Sequence, residues 1–357
     1  MSLLPILREV ITEKGSISIA EYMELCLGHP EHGYYRKQDP LGARGDFITS
    51  PEISQIFGEM LGVWVGNLWQ QMGGGPAALV EFGPGRGTLM ADMLRATKKI
   101  PEFHESLSVH MVETSPVLAN AQYLRLRHEH PRIEWLEDVR ELPEKPCFIV
   151  ANEFFDALPI RQYVQAAEGV RERRIDWNAQ TNALEFTLGP VGLSLASGKQ
   201  IPMGTIMEQC PAARSIMRQL AGHIRTHGGA GLFIDYGYLG EAHQDTLQAV
   251  KAHLYHPILS EPGDADITAH VDFQSLMEIA RGEGVAVHGL IGQGHFLERM
   301  GASLRLEILL RSAVGEQRNQ LITGLQRLMS PQAMGELFKV MAILPNPDIE
   351  PLGFYSA

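Results

Sequence analysis

Glu81, Gly83, Gly85 and Gly87 stand in the order acid-x-Gly-x-Gly-x-Gly, after a short apolar run, Ala77 to Phe82, and before Leu89, Met90, Met93 and Leu94 at helical spacing. The pattern reads as a buried strand, a glycine turn holding Pro84, and a helix that Thr88 is expected to cap. Three positions without a Cβ let a ligand approach the backbone, and the acid at the strand's carboxyl end can face a bound polar group. Other acids repeat that placement. Glu113 closes Ser108-Val109-His110-Met111-Val112 and lies where the ribose hydroxyls of an adenosine cofactor are usually received; the alternative is a plain exposed strand end. Asp138 follows a weaker strand, Ile133-Glu134-Trp135-Leu136, and is expected to hydrogen-bond an adenine amino group unless it is a surface acid. Asn152-Glu153-Phe154-Phe155-Asp156 follows the apolar run Cys147 to Ala151. Two acids three residues apart, flanking two phenylalanines at a crevice, suit an acceptor pocket; the competing reading is a helix cap at Asn152 and a core helix. Asp235 lies toward the carboxyl end of a further strand, Gly231 to Gly237, near the acceptor side.

A glycine turn alone is weak evidence, and a dinucleotide fingerprint would want its third glycine at the position of Thr88. The order found here instead resembles the first motif of class I S-adenosylmethionine (SAM) methyltransferases, in which the acid faces the ammonium of the methionine moiety.

The elements that must hold these residues are legible in outline. A helix near residues 3–14 stops at Gly15, Ser18 caps a second that ends near Gly28, and Ser50-Pro51-Glu52 opens one long helix whose face Ile53, Ile56, Phe57, Met60, Leu61 and Trp64 belongs to the core. Alternation and turn residues from about 161 to 200 predict an antiparallel β insertion, its arginines on a solvated face. Later come a helix from Pro211, the Asp235 strand, a helix from Asp272 to Arg281, late strands near 285–297, helices near 302–312 and 316–329, and a last helix capped by Ser330-Pro331. The expected division is an N-terminal helical region and cofactor lid over 1–75, with Gly45 to Ser50 closing over the cofactor, and an α/β domain over 76–357.

Composition narrows the function. With 357 residues, 45% hydrophobic, the chain can bury one large core or two modest ones, and a net charge of −12 argues against a grip on nucleic-acid phosphates. Cys26, Cys147 and Cys210 form no C-x-x-C pair and the fourteen histidines no H-E-x-x-H, so no metal site is expected. No apolar run is long enough for membrane insertion. The start, Met1 to Glu9, turns acidic too soon for a signal or transit peptide, and unpaired cysteines fit a reducing cytoplasm.

Five blocks in order, Gly45 to Glu59, Glu81 to Met90, Ala151 to Pro159, Phe233 to Gly237 and Gly335 to Val340, together resemble the MidA family of SAM-dependent methyltransferases. The resemblance spans nearly the whole chain. It implies a class I, Rossmann-like parallel sheet over 76–357, SAM as cofactor, and a protein partner, since the family's mitochondrial members methylate an arginine on a respiratory complex I subunit. Those members carry a targeting presequence that this sequence lacks, so the expectation is a bacterial relative located in the cytoplasm. Glu81, Gly83, Pro84, Gly85, Gly87, Glu113, Asp138, Asn152 and Ser50 are the expected cofactor contacts, and Glu153 and Asp156 the catalytic carboxylates. An arginine needs such acids: its guanidinium stays protonated and delocalised, and a carboxylate must draw the charge onto one nitrogen while another keeps a lone pair for the methyl. Phe154 or Phe155 is placed to shield a sulfonium. Two rivals stand. One is N-methylation of another amine or a small molecule, since Asn152-Glu153-Phe154-Phe155 is similar to the Asn-Pro-Pro-Phe or Tyr loops of amide and base N-methyltransferases. The other is a SAM-binding assembly factor without turnover. A homodimer and a monomer are equally compatible with the sequence.

Overall fold

The computed structural model describes residues 2–37, 48–193, 201–240 and 245–354. The chain divides into two compact units, one of residues 1–47, 156–215 and 239–272 and the other of residues 48–155, 216–238 and 273–357. These limits differ from the expected break after residue 75. The helical prelude contributes to both units, because its second half supplies a helix to the parallel-sheet core and its first half packs with the β insertion.

The first unit opens with the helix Leu4–Lys14, closed by Gly15 in the left-handed region, and the helix Ile19–Gly28, whose Ser18 and Glu21 form a reciprocal capping box. Ile17–Ser18, which ends on that capping serine, pairs antiparallel with Ile175 and Arg174 of the strand Gly169–Asn178. Arg161–Ala166, Ala183–Leu193 and Ile206–Gln209 complete this sheet, so the insertion reaches beyond the expected limit near 200 and recruits an N-terminal strand. Leu7, Ile11, Tyr22, Met23, Ile175 and Ile267 are buried together at its core.

The second unit is built on a twisted sheet whose strands we number β1 Ala77–Phe82, β2 Leu107–Val112, β3 Ile133–Leu136, β4 Cys147–Asn152, β5 Gly229–Tyr238, β6 Ala286–Gly292 and β7 Phe338–Leu344. Their order is β6-β7-β5-β4-β1-β2-β3. β3, β2, β1, β4 and β5 run parallel, and β7 enters antiparallel between β5 and β6. This is the doubly wound 3-2-1-4-5 order, whose chain reversal between β1 and β4 opens the ligand crevice beyond the carboxyl ends. β1, β2 and β4 are buried along their full length, as strands covered on both faces are.

Two local readings are corrected here. The long helix expected from Ser50 is two, Ser50–Ile53 and Gln55–Gln71, because Ser54 is extended and its hydroxyl caps Ile56 N at 3.3 Å. The expected last helix shrinks to Met334–Leu337, and the apolar run after it is a strand, β7, filling a place in the sheet.

Candidate functional site

The register of the parallel strands brings the predicted residues to one edge. Phe82 lies beside Val112 and Ala151, and Asn152 beside Ile234, so Gly83, Glu113 and Glu153 leave the sheet together, while Asp235, next after Ile234, stays in β5 paired with Lys339 of β7. Gly83 N donates to Val112 O at 3.2 Å, Glu113 N to Leu136 O at 2.9 Å and Glu153 N to Ile234 O at 2.9 Å, carrying the pairing one residue beyond each strand.

The glycine turn has the conformation its composition anticipates. Gly83, Gly85 and Gly87 have φ of 60°, 51° and 76°, in the left-handed region that glycine enters without a Cβ penalty. A Cβ at Gly83 would stand 3.0 Å from Phe154 Cδ2, so the first glycine also admits the ring of the acceptor-side loop. The helix Thr88–Thr97 is preceded by Gly87 and has no side-chain cap; Thr88 is its first residue, and its hydroxyl donates to the Glu52 carboxylate instead of capping.

Glu81 is 3% exposed. The backbone of Met90 donates to its carboxylate, and its Oε2, fully buried, has no hydrogen-bond partner. Burial pushes this carboxyl well above the usual range against that hydrogen bond, and the nearby Asp92 and Glu113 push the same way. An unpaired buried carboxylate costs several kcal/mol, so the position suits an acid that a cation will meet. Asn152 repeats the deficit, its Oδ1 being buried without a partner. Glu113 is already organised: its Oε1 accepts from Ser115 N at 2.7 Å and its Oε2 from Gln122 Nε2 at 3.1 Å. Gln122, fully buried, donates also to Gly85 O at 2.8 Å and accepts from Trp135 Nε1 at 2.8 Å. Sequence reasoning passed over Gln122, although its place one helix after Glu113, inside an otherwise apolar face, was a signal.

Asp138 sits beyond β3, half-exposed. Both of its oxygens accept from the Arg140 guanidinium at 2.8 Å and one also caps Arg140 N. These hydrogen bonds hold its carboxyl at about 2.

On the acceptor side, Glu153 has φ 52°, a left-handed conformation that non-glycine residues adopt rarely and at functional turns more often than elsewhere. Its Oε1 accepts from Ser50 N at 2.9 Å and Asn152 Nδ2 at 3.0 Å. Ser50 is fully buried, and its hydroxyl approaches Gln293 Oε1 at 3.5 Å. Gln293 is a second residue that sequence reasoning missed, since it was read within a strand or turn and opens the helix Gln293–Arg299. Asp235, 1% exposed, accepts at Oδ2 from Phe154 N at 3.2 Å and Phe155 N at 3.0 Å. No helix starts at Asn152, so the capping alternative falls. Asp156 belongs to the first unit, where it is buried and its carbonyl accepts from Ala269 N at 3.0 Å. Residues 45–47 of the lid expected at Gly45 to Ser50 lie outside the described residues. Among the described residues no cluster of His, Cys, Asp or Glu fits a metal ion, and no helix is long and apolar enough to cross a membrane.

These features fit SAM: a buried acid oxygen and a buried amide oxygen without partners, beside a turn whose three glycines hold positive φ. Residues 60–291 match the family described as S-adenosyl-L-methionine-dependent methyltransferase. The chain is 40% identical to the protein arginine methyltransferase NDUFAF7, mitochondrial, of Mus musculus over 96% of its own length and 85% of the relative's. It is 39% identical to the human protein of the same name, with 97% and 85% covered. A Burkholderia thailandensis protein crystallised with S-adenosyl-homocysteine bound has the same fold, with a TM-score of 0.86, 28% identity, and 99% and 94% of the two chains covered. The cytoplasmic location expected from the first residues is overturned: the curated relatives are named mitochondrial, and an acidic start with unpaired cysteines carries no address.

Proposed function

The chain belongs to the S-adenosyl-L-methionine-dependent methyltransferase family, and from that premise we propose that its acceptor is an arginine of a protein, in a subunit of respiratory complex I. The observation that carries the acceptor is Glu153. Its carboxylate is fixed by Ser50 N and Asn152 Nδ2 at the crevice end of β4, on a backbone turned into the left-handed region. Support for arginine comes also from relatives named for that activity, and complex I rests on the family resemblance.

Once bound, SAM supplies an electrophilic methyl group on a positively charged sulfur. Glu81 and Asn152 receive the methionine end, Glu113 the ribose and Asp138 the adenine, while Gly83, Pro84, Gly85 and Gly87 give backbone contact and Ser50 borders the site. Glu153 holds the guanidinium and concentrates its charge on the nitrogens it faces, which leaves another nitrogen with a lone pair. Phe154, packed edge-on against Phe82 at 5.5 Å, presents an apolar face that excludes water.

Glu153→Gln keeps size and hydrogen bonding but removes the charge. Loss of a preorganised electrostatic contact costs about 10²–10³ in rate. Single-turnover methyl transfer should fall by that factor with SAM affinity nearly unchanged. Near-normal transfer would reject the assignment, and an equal fall in both would place Glu153 in the cofactor site. Mass spectrometry of complex I subunits with and without the protein tests the substrate.

A further inference from the structure

We propose that Asp235 is a positioning residue for methyl transfer, setting the turn that presents Glu153 and Phe154 while touching neither cofactor nor acceptor. The inference rests on the acceptor role proposed for Glu153. An acid at the crevice end of β5 invites a reading as a third acceptor carboxylate, but its hydrogen bonds point elsewhere. Oδ2 accepts from the consecutive amides of Phe154 and Phe155 at 3.2 and 3.0 Å, and Oδ1 from Tyr236 N at 3.0 Å. At 1% exposure the carboxylate is removed from solvent.

Those two amides follow the residue with the least comfortable backbone in the site. Glu153 has φ 52°, where an L side chain crowds its own carbonyl, and Glu153 N is fixed to Ile234 O at 2.9 Å. The chain must reverse sharply between that bond and the next two amides. A single buried carboxylate from the adjacent residue of β5 collects both amides, and a charged acceptor makes each bond stronger than a neutral one would. The turn so held keeps the Phe154 ring against Gly83, where a Cβ would stand 3.0 Å away. Asp235 thereby joins the acceptor turn to the glycine turn through backbone geometry.

Asp235→Asn keeps an acceptor oxygen but loses the charge. A displacement of the reacting group by about 1 Å costs on the order of 10²-fold in rate. Single-turnover transfer is expected to fall about 10- to 100-fold while S-adenosyl-homocysteine affinity changes less than about threefold. Normal transfer would overturn the proposal, and so would a parallel loss of affinity. A stability cycle covers the case in which substitution harms folding. Asp235→Ala is measured by urea unfolding in the natural chain and beside Glu153→Gly, since glycine enters the left-handed region freely. The cost of Asp235→Ala is expected to shrink in the glycine background. Equal cost in both, or no folded protein in either, would make Asp235 a general structural residue and reject the positioning role. Normal transfer by Glu153→Gln would remove the acceptor reading and leave this coupling unaffected, so the two failures are distinguishable.

Discussion

Near the carboxyl end of β1 an acid is kept short of partners, whereas just after β4 and within β5 the acids are held by them. Glu81 has a buried oxygen with no hydrogen bond, while Glu153 is gripped by Ser50 N and Asn152 Nδ2 and Asp235 by two consecutive amides. The first arrangement gains free energy when a cation arrives, so it is suited to binding. The second arrangement has its geometry set beforehand, which is what a reacting group requires. On the roles proposed above, one end of the sheet separates affinity from rate.

The separation can be broken most severely at the glycine turn. Gly85→Val places a β-branched side chain at φ 51°, and calorimetric titration with SAM should show no measurable binding by a protein whose circular dichroism remains native. Unchanged affinity would move the cofactor elsewhere. Glu81→Gln should lower affinity for S-adenosyl-homocysteine about 10- to 100-fold, because a charge-assisted bond is lost. It should also leave the unliganded protein as stable or more stable by thermal unfolding, since a buried, unpaired charge disappears. Opposite signs of this kind are not expected at Glu153. Gln122→Ala removes the link between Gly85 O, Glu113 and Trp135, and about a tenfold loss of affinity is expected, with the single-turnover rate at saturating SAM preserved.

The smallest effect is in pH. Glu81 and Asp92 both titrate above their ordinary range because of burial, Asp92 at about 6 with Arg95 opposing the shift. A carboxyl raised in the folded state contributes stability below its unfolded value and loses it as pH rises through the folded value. Unliganded protein should therefore lose stability as pH climbs through about 6, while a ligand ammonium, which needs the ionised Glu81, restores it. The rise in melting temperature on adding S-adenosyl-homocysteine should widen as pH climbs above the ordinary carboxylate range and narrow above about pH 8, where an α-amine begins to lose its proton. A rise that shrinks with pH between those limits would remove Glu81 from the ammonium.

The glycine turn and its flanking strand and helix were largely legible in the sequence because their parts lie close together along the chain. A covered strand, a glycine turn and a helix announce themselves within Ala77 to Leu94, and the strand limits Ala77–Phe82 coincide with the apolar run. The acceptor half was legible only in its residue types. Glu153 and Asp235 could be named from strand ends, but the hydrogen bonds that give them their tasks come from Ser50 and from Phe154 and Phe155, across long stretches of chain. Propensity also misled where a neighbour decided the outcome. Ser54 interrupts a strongly helical pattern by capping its own successor, and Phe338–Leu344 becomes a strand because β5 and β6 leave a slot for it. Ile17–Ser18 is too short to read as a strand without its partners Ile175 and Arg174.

The slot filled by β7 bears on how the protein is made. β5 and β6 are synthesised before the strand that lies between them; until residues 338–344 leave the ribosome, β5 has one edge unpaired and β6, whose one sheet neighbour is β7, has both. Exposed edges of this kind recruit other chains. At about 5–20 residues per second, the interval from Gly292 to Phe338 lasts several seconds, long enough for a nascent chain to need a holdase. A message broken just before Phe338 would keep every residue of the candidate site on a sheet that lacks one of its inner strands.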